Sequence, residues 1–356
     1  MIDFFGCKRD GEYNPYWTVN ADKIIRSGIY LQGPCVAALE SAFADRFHGR
    51  HAVAVGSCTD ALFFSLKDVI EPGGEVLVPD VSFLATASAV VRAGGTPVFV
   101  DVDPNTMLMD LDEADRLVSR STQAIILVHL YGSMSYDEQR LKPLLARIPI
   151  CIEDCAQAFG SYDGRVQAGM IGDYACFSFD PTKPVGGPGS GGMVLTDSAN
   201  AARIRMLRYH GKPDCAQLGY NSQMSEICAS VVLDKIYNKQ WDWRAQVVEY
   251  RKLLSDVPEV SLLAEVGTPA YSKFVIKVSA RDALATSLRA KGIETRVHYP
   301  HPLHSEPLFN LLPTGKPWWS TRACNEILSL PLYRYLTLGE IRYVVQCIKE
   351  FYYGNS

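Results

Sequence analysis

Three short stretches place complementary chemistry at the ends of apolar runs. In "FSFDPTKPVGG" (177–187), Ser178 closes such a run and Lys183 follows in a loop stiffened by Pro181 and Pro184 and opened by Gly186 and Gly187. "IEDCAQAFG" (152–160) ends another run on Glu153 and Asp154, with Gln157 three residues further on. Successive strand side chains point to opposite faces, so the two acids cannot both face one cleft. In "VGSCTDAL" (55–62), Ser57 can cap a helix that begins near Cys58. That leaves the Cys58 and Thr59 amides and the Thr59 hydroxyl facing outward, as an anion site requires. Each signal alone has an ordinary reading: a surface lysine, a solvated loop acid, a plain helix cap.

Together they match what pyridoxal phosphate needs. Its phosphate wants a helix N-terminus and hydroxyls, its ring nitrogen a carboxylate, its aldehyde a lysine amine. An aromatic side chain should cover the ring, and Phe83 in "VSFLATA" (81–87) is the candidate, with a place in the core as its plainer role.

The elements that must position these groups follow from periodicity. Short apolar runs at 51–56, 75–79, 96–102, 124–130, 148–154, 174–179 and 191–196 read as strands. Helical patterns lie between several of them, at 57–69 and 82–94, and another precedes them at 33–47. Continuously apolar strands separated by helices indicate a doubly wound α/β sheet, mostly parallel and covered on both faces. Ligands of such sheets bind beyond the carboxyl ends of the strands, where all three stretches fall. Residues 1–20 look irregular. One long helical stretch is expected over about 222–254, then a smaller α+β pattern with a strand at 273–279, a helix over 281–291, an extended segment at 293–299 and helices near 320–328 and 337–351. This divides the chain into a large domain, 1–245, and a small one, 246–356.

Bulk properties exclude other classes. The chain has 356 residues, 47% apolar and 21% charged, with a net charge of −4 and no long basic run, which argues against nucleic-acid binding. Ten cysteines include no CxxC pair, so zinc-ribbon spacing is missing and free thiols in a reducing compartment are expected. The start of the chain is too polar for a signal peptide, and no apolar run reaches the ~18 residues of a membrane span, so a cytoplasmic protein is expected. His298, His301 and His304 in "HYPHPLH" (298–304) are spaced three apart with two prolines among them, which forbids a regular helix and disfavours a metal site. A loop contacting substrate through His298, Tyr299 and His304 is the expectation, with no metal.

Over nearly its whole length the sequence resembles the DegT/StrS-type sugar aminotransferases. The likeness runs through "RSGIYLQGPCVAALE" (26–40), "VSFLATASAVVRAGGTPVFVDVDPNTMLMD" (81–110), "EDCAQAFGS" (153–161), "GDYACFSF" (172–179) with Lys183, "GYNSQMSE" (219–226) and "HYPHPLH". The resemblance implies the fold-type-I pyridoxal-phosphate fold, with a seven-stranded sheet. It implies that Lys183 binds the cofactor aldehyde, Asp154 pairs with the pyridine nitrogen, and Gln157 sits beside the ring near its phenolic oxygen. Thr59, the Cys58 amide and Ser178 would hold the phosphate, and Phe83 would stack on the ring. Asn221 would reach the phosphate in the neighbouring subunit, making a homodimer with shared sites. The chain departs from the family's usual pattern at Cys58, where glycine is common, at Gln223, where arginine is common, and in carrying Asp180 beside the lysine loop.

The implied reaction moves an amino group from glutamate or glutamine to a keto group of a nucleotide-linked deoxysugar, in two half-reactions that share one site. A keto-cyclitol is an alternative acceptor, and a non-catalytic sensor that binds the cofactor is an alternative role.

Overall fold

The seven apolar runs form one sheet, because each carries buried side chains on both faces. In the computed structural model, which describes residues 1–240, 242–309 and 317–354, these strands are β1 (His51–Val55), β2 (Glu75–Pro79), β3 (Thr96–Val100), β4 (Thr122–Val128), β5 (Ile150–Asp154), β6 (Tyr174–Ser178) and β7 (Gly192–Thr196). Their order is β1-β7-β6-β5-β4-β2-β3; β7 runs antiparallel to both neighbours and every other pairing is parallel.

Alternation sorts the strand residues. Val53, Val78, Ile126, Ile152 and Cys176 meet the helices Cys58–Leu66 and Leu84–Arg92 on one face. Ala54, Ala175, Phe177 and Met193 meet Pro34–Arg46 and Glu226–Tyr237 on the other. The second pair of helices is locked by one acid. Glu226 is buried, and its carboxylate accepts from the amides of Gly33, Cys35 and Val36 at 2.7–3.0 Å, capping the Pro34–Arg46 helix with a charge.

A smaller antiparallel sheet follows, ordered β10-β9-β8 from β8 (Ser261–Leu262), β9 (Phe274–Lys277) and β10 (Ile327–Leu330). Helices Arg244–Leu254, Arg281–Ala290 and Leu338–Tyr353 bury Tyr250, Leu284, Leu288, Ile341 and Val344 against it. Val275, Leu303, Phe309 and Cys324 join the core of the large sheet, so the late part of the chain packs into both layers. No helix among the described residues is long and apolar enough to cross a membrane.

Three sequence expectations need correction. Residues 1–20 are not irregular: helices span Cys7–Tyr13 and Tyr16–Ser27. The first buries no side chain, so it has no periodic signature; it is held by Lys235–Asp10 at 2.7 Å and by Arg9, whose guanidinium donates to both Glu340 oxygens at 3.0 and 2.5 Å. The stretch 222–254 is two helices, Glu226–Tyr237 and Arg244–Leu254. Lys239 takes a φ of 49° just past the first, a conformation that a right-handed helix cannot continue. The segment 293–299 forms no regular strand and touches its neighbours through single bridges, Ile2 with Ile293 and Arg296 with Ser329.

The Arg9–Glu340 pair gives a pH prediction. The Arg9 hydrogen bonds hold the Glu340 carboxyl down to about 2, below its ordinary 4.5. A depressed folded pKa contributes stability that is present above the unfolded value and lost as pH falls through the folded one. The thermal-stability gap between the wild type and Glu340→Gln is therefore full above about pH 5. It narrows as pH drops toward 2, as calorimetry across that range will show.

Candidate active site

The carboxyl ends of β1, β2, β4, β5 and β6 open on one cavity of about 390 Å³. Cys58, Thr59 and Phe83 line it from the loops and helix starts after β1 and β2, and Asp154 and Gln157 from the end of β5. Ser178 and Lys183 line it from β6 and its loop, and His298 and Tyr299 close it from the late part of the chain. Nine of the eleven residues named from sequence thus meet at one place.

At one end of the cavity stands the first turn of the Cys58–Leu66 helix. Ser57 caps it, its hydroxyl accepting the Asp60 amide at 3.1 Å. The earlier amides of a helix have no intrahelical acceptor, so those of Cys58 and Thr59 remain available to an anion. Gly192, at the start of the return strand, keeps this turn open. A Cβ on Gly192 would sit 2.5 Å from the Ser57 carbonyl carbon and 2.7 Å from the Cys58 nitrogen. Burial raises the Cys58 thiol well above its ordinary range, so it stays protonated and acts as apolar filling beneath the turn.

Glu153 and Asp154 divide the work of the β5 end, as strand alternation requires. Glu153 points away from the cavity and is fully buried. It accepts from His129 Nε2 at 2.9 Å and from the amides of Gly169, Ile171 and Gly172 at 2.7–2.9 Å. Burial works to raise its carboxyl, and these hydrogen bonds outweigh burial and leave it below the usual range. His129 Nδ1 accepts from the Ser135 amide at 2.9 Å, so its one proton lies on Nε2, facing Glu153. His129, Glu153 and Cys155 are close enough to hold a metal, but both ring nitrogens and both carboxylate oxygens already have partners. The cluster is a scaffold for the turn that presents Asp154.

Asp154 faces the cavity, 6% exposed. Its Oδ2 accepts from the Thr86 hydroxyl at 3.0 Å and its Oδ1 from the Ala156 amide at 3.1 Å. Thr86 spends its only proton on Asp154 and so accepts from Ser82, 2.7 Å away. Burial raises the Asp154 carboxyl, against the lowering effect of these two bonds and of the Lys183 charge. No ion pair among the described residues includes Asp154: it is a buried acid with neutral donors only, open to a cation from the cavity.

Lys183 sits in a tight turn, its amide donating to the Asp180 carbonyl and its carbonyl accepting from Gly186, both at 2.9 Å. It lines the cavity together with Asp154, Cys58, Lys273 and His298, and its charge acts on all four. The carboxylate of Asp180 is turned onto Thr182, accepting from its amide at 2.9 Å and its hydroxyl at 2.5 Å.

Gln157 is held on three sides. Its oxygen accepts from the Tyr131 amide and the Ser272 hydroxyl, both at 3.0 Å, and its NH₂ donates to the Tyr299 hydroxyl at 3.2 Å. The His298 ring pairs with Ser329 through Nδ1 at 2.9 Å and lies against Phe4, centroids 5.6 Å apart. Burial, then the charges of Lys273 and Lys183, push His298 down to about 3, so it is a neutral hydrogen-bonding group and no acid at neutral pH. Phe83 is 55% exposed at the mouth, 6.0 Å from Tyr299 between ring centroids.

His304 and Asn221 do not line the cavity. Expected to contact substrate, His304 turns to the buried Asp80, which accepts from its amide at 2.9 Å and lies 2.7 Å from its Nδ1; the pair fixes the loop that carries His298 and Tyr299. Asn221 is exposed beside the Gly33 turn, its oxygen accepting from Gln223, while Gln223 meets Gln32. Sequence reasoning missed Phe5, Thr86 and Lys273. Phe5 comes from the segment read as irregular, Thr86 reads as one small residue among many in a helix, and Lys273 stands just before a strand, where lysine gives no signal of burial.

The model of the DegT/DnrJ/EryC1/StrS aminotransferase family matches residues 17–349. The chain belongs to this family. A "Pleiotropic regulatory protein" of Geobacillus stearothermophilus is 36% identical, with 93% of each chain covered. The "UDP-2-acetamido-2-deoxy-3-oxo-D-glucuronate aminotransferase" of Pseudomonas aeruginosa is 32% identical over 97% of this chain and 98% of that one. Among solved structures, DesV of S. venezuelae, described in complex with a ketimine intermediate, superposes with a TM-score of 0.93 at 31% identity, covering 100% of this chain and 99% of its own.

DegT/StrS aminotransferases depend on pyridoxal phosphate, and the cavity fits that cofactor. The buried Asp154 has no cationic partner of its own, and the cradle at Ser57–Thr59 stays open only because residue 192 has no Cβ. Gly192→Ala forces the first turn of the Cys58–Leu66 helix to shift. Its affinity for pyridoxal phosphate is expected to fall about five- to a hundredfold, since overpacking of this kind costs ~1–3 kcal/mol. Fluorescence titration of the cofactor-free protein measures this directly.

Proposed function

We propose that this aminotransferase moves an amino group from glutamate or glutamine to a keto group of a nucleotide-linked deoxysugar. The carrying observation is the meeting of Lys183, Asp154 and the Ser57–Thr59 turn on one cavity. Relatives named as UDP- and dTDP-sugar aminotransferases support the substrate class.

When bound, pyridoxal phosphate supplies a carbonyl that takes up amines and a ring that draws electrons from the adjacent carbon. In our reading the amides of Cys58 and Thr59, with the Thr59 and Ser178 hydroxyls, hold the phosphate. Asp154 keeps a proton on the ring nitrogen, Gln157 borders the ring on the side fixed by Tyr131 and Ser272, and Phe83 covers its face. Lys183 would bind the carbonyl; freed when the donor takes its place, its amine would move a proton from the donor's α-carbon to the former carbonyl carbon of the cofactor, and in the second half-reaction would move a proton from that carbon to the sugar carbon. His298 and Tyr299 contact substrate as neutral groups.

Two further readings belong here. The enzyme is a homodimer: Tyr16, Val19, Ile25, Ile29, Tyr30 and Leu31 are apolar and exposed, and Asn221 lies beside that surface, where it would meet the partner's phosphate. It works in the cytoplasm, in keeping with ten free cysteines. We also retain a cofactor-binding domain over 1–245 and a smaller one over 246–356, supported by a separate sheet in each.

One relative's name favours a second reading, a regulatory protein that binds the cofactor without turnover. A spectrum separates the two. The visible band of the lysine-bound cofactor should bleach with glutamate, release one equivalent of 2-oxoglutarate, and return on addition of one member of a panel of keto-sugar nucleotides. A band that no amino donor changes would reject transfer and leave the regulatory reading.

A further inference from the structure

Lys273 is a second cationic side chain of the cavity, used by neither the cofactor nor the proton path. It immediately precedes β9 and is only 7% exposed, yet it lines the same cavity as Lys183. Its Nζ donates to the Ser272 carbonyl at 2.9 Å and stands 5.0 Å from the centre of the Phe5 ring. An ammonium has three donors, so two remain for the cavity. Buried lysines are almost always paired with an acid. Among the described residues no ion pair includes Lys273: Asp180 is turned onto Thr182, and Asp154 onto Thr86 and Ala156.

We propose that Lys273 is a specificity-determining residue that receives a carboxylate of the ligand undergoing amino transfer. The proposal rests on the transfer reading above and adds the chemical class of group that the cavity selects. The phosphate has its own cradle, made of amides and hydroxyls at the Cys58–Leu66 helix. Lys273 instead belongs to the wall formed by Phe5 and His298, and its charge acts on His298 together with that of Lys183. A carboxylate placed there lies beside the amine that handles the reacting carbon. Burial, with the Lys183 charge adding, pushes the Lys273 amine down to about 7, so an arriving anion gains most by restoring its charge. A lysine gives a point charge that takes one oxygen without demanding a planar fork, which suits a carboxylate on a flexible chain. That carboxylate can come from the amino donor or from an acidic acceptor sugar.

The test uses holoenzyme and binding by calorimetry, separate from turnover. Glutarate, an unreactive dicarboxylate, probes the donor; UDP-glucuronate against UDP-glucose probes the sugar. Lys273→Met is expected to weaken glutarate about ten- to a hundredfold, the scale of a lost charge-assisted hydrogen bond. Lys273→Arg should stay within a few-fold of the wild type, and UDP-glucose should be unaffected in both. If glutarate binding is unchanged and only the preference for UDP-glucuronate over UDP-glucose disappears, the carboxylate is the sugar's. Should Lys273→Met fail to fold, Lys273→Gln keeps the polar end and carries the same expectation. A wild type that binds neither probe through its carboxylate, or a variant that binds both as the wild type does, overturns the proposal. Failure of the transfer reading shows separately, as a cofactor band that glutamate does not change.

Discussion

Lys183→Ala yields a folded protein with no measurable turnover and without the visible band of lysine-bound cofactor. The fold should survive because the turn is held by main-chain bonds, Lys183 to Asp180 and Gly186 to Lys183, which alanine keeps. The loss should be near complete because in the proposed reaction one amine performs two tasks, binding the carbonyl and moving the proton. General acid–base action alone is worth roughly 10²–10⁴ in rate, and loss of the covalent step adds to it. Lys273 is a second amine in the same cavity, so the experiment also asks whether it can substitute. Its bond to the Ser272 carbonyl and its place against Phe5 hold it away from that role. Circular dichroism checks the fold, a cofactor titration the band, and amino-group exchange the rate; full activity would reject the assignment.

Asp154→Asn should reduce turnover by about 10²- to 10³-fold, the scale seen when one preorganised electrostatic partner is removed. Asparagine fills the same space but has no charge with which to hold a proton on the ring nitrogen, the role proposed for Asp154. Its NH₂ would also confront either the Thr86 hydroxyl or the Ala156 amide, both of which donate to the present carboxylate. The effect on stability should have the opposite sign. Burial raises the Asp154 carboxyl and penalises its charged form while the cavity holds no cation. The cofactor-free variant is therefore expected to melt at or above the wild type at pH 7, while the advantage that bound cofactor gives the wild type shrinks. Paired melting curves with and without pyridoxal phosphate measure both. A variant that binds the cofactor and turns over normally would reduce Asp154 to a turn-capping residue.

What could be read from the chain alone was what local chemistry decides. Ser57 caps a helix by its own hydroxyl, and Glu153 and Asp154 part company by the two-residue period of a strand, so both were legible. The seven strands were legible because each is apolar on both faces. Lys273 was not, because its burial depends on Phe5, 268 positions away in the sequence. His304 was expected beside the substrate together with His298 and Tyr299; what turns its ring aside is Asp80, just past β2 and distant in sequence. The break after Tyr237 was hidden because the helical period is good on either side of one left-handed residue.

The clasp that seats the amino-terminal segment also sets an order of assembly. Every group proposed to hold the cofactor lies between Ser57 and Asn221, and is made early in synthesis. Phe4 and Phe5 are made earlier still, but their supports are not: Ile2 pairs with Gly292 and Glu294, and Arg9 waits for Glu340. Contacts this distant along the chain form late. On a ribosome the phosphate cradle can fold while the Phe5 wall is still missing, so the nascent pocket is open on that side until almost the last helix has emerged.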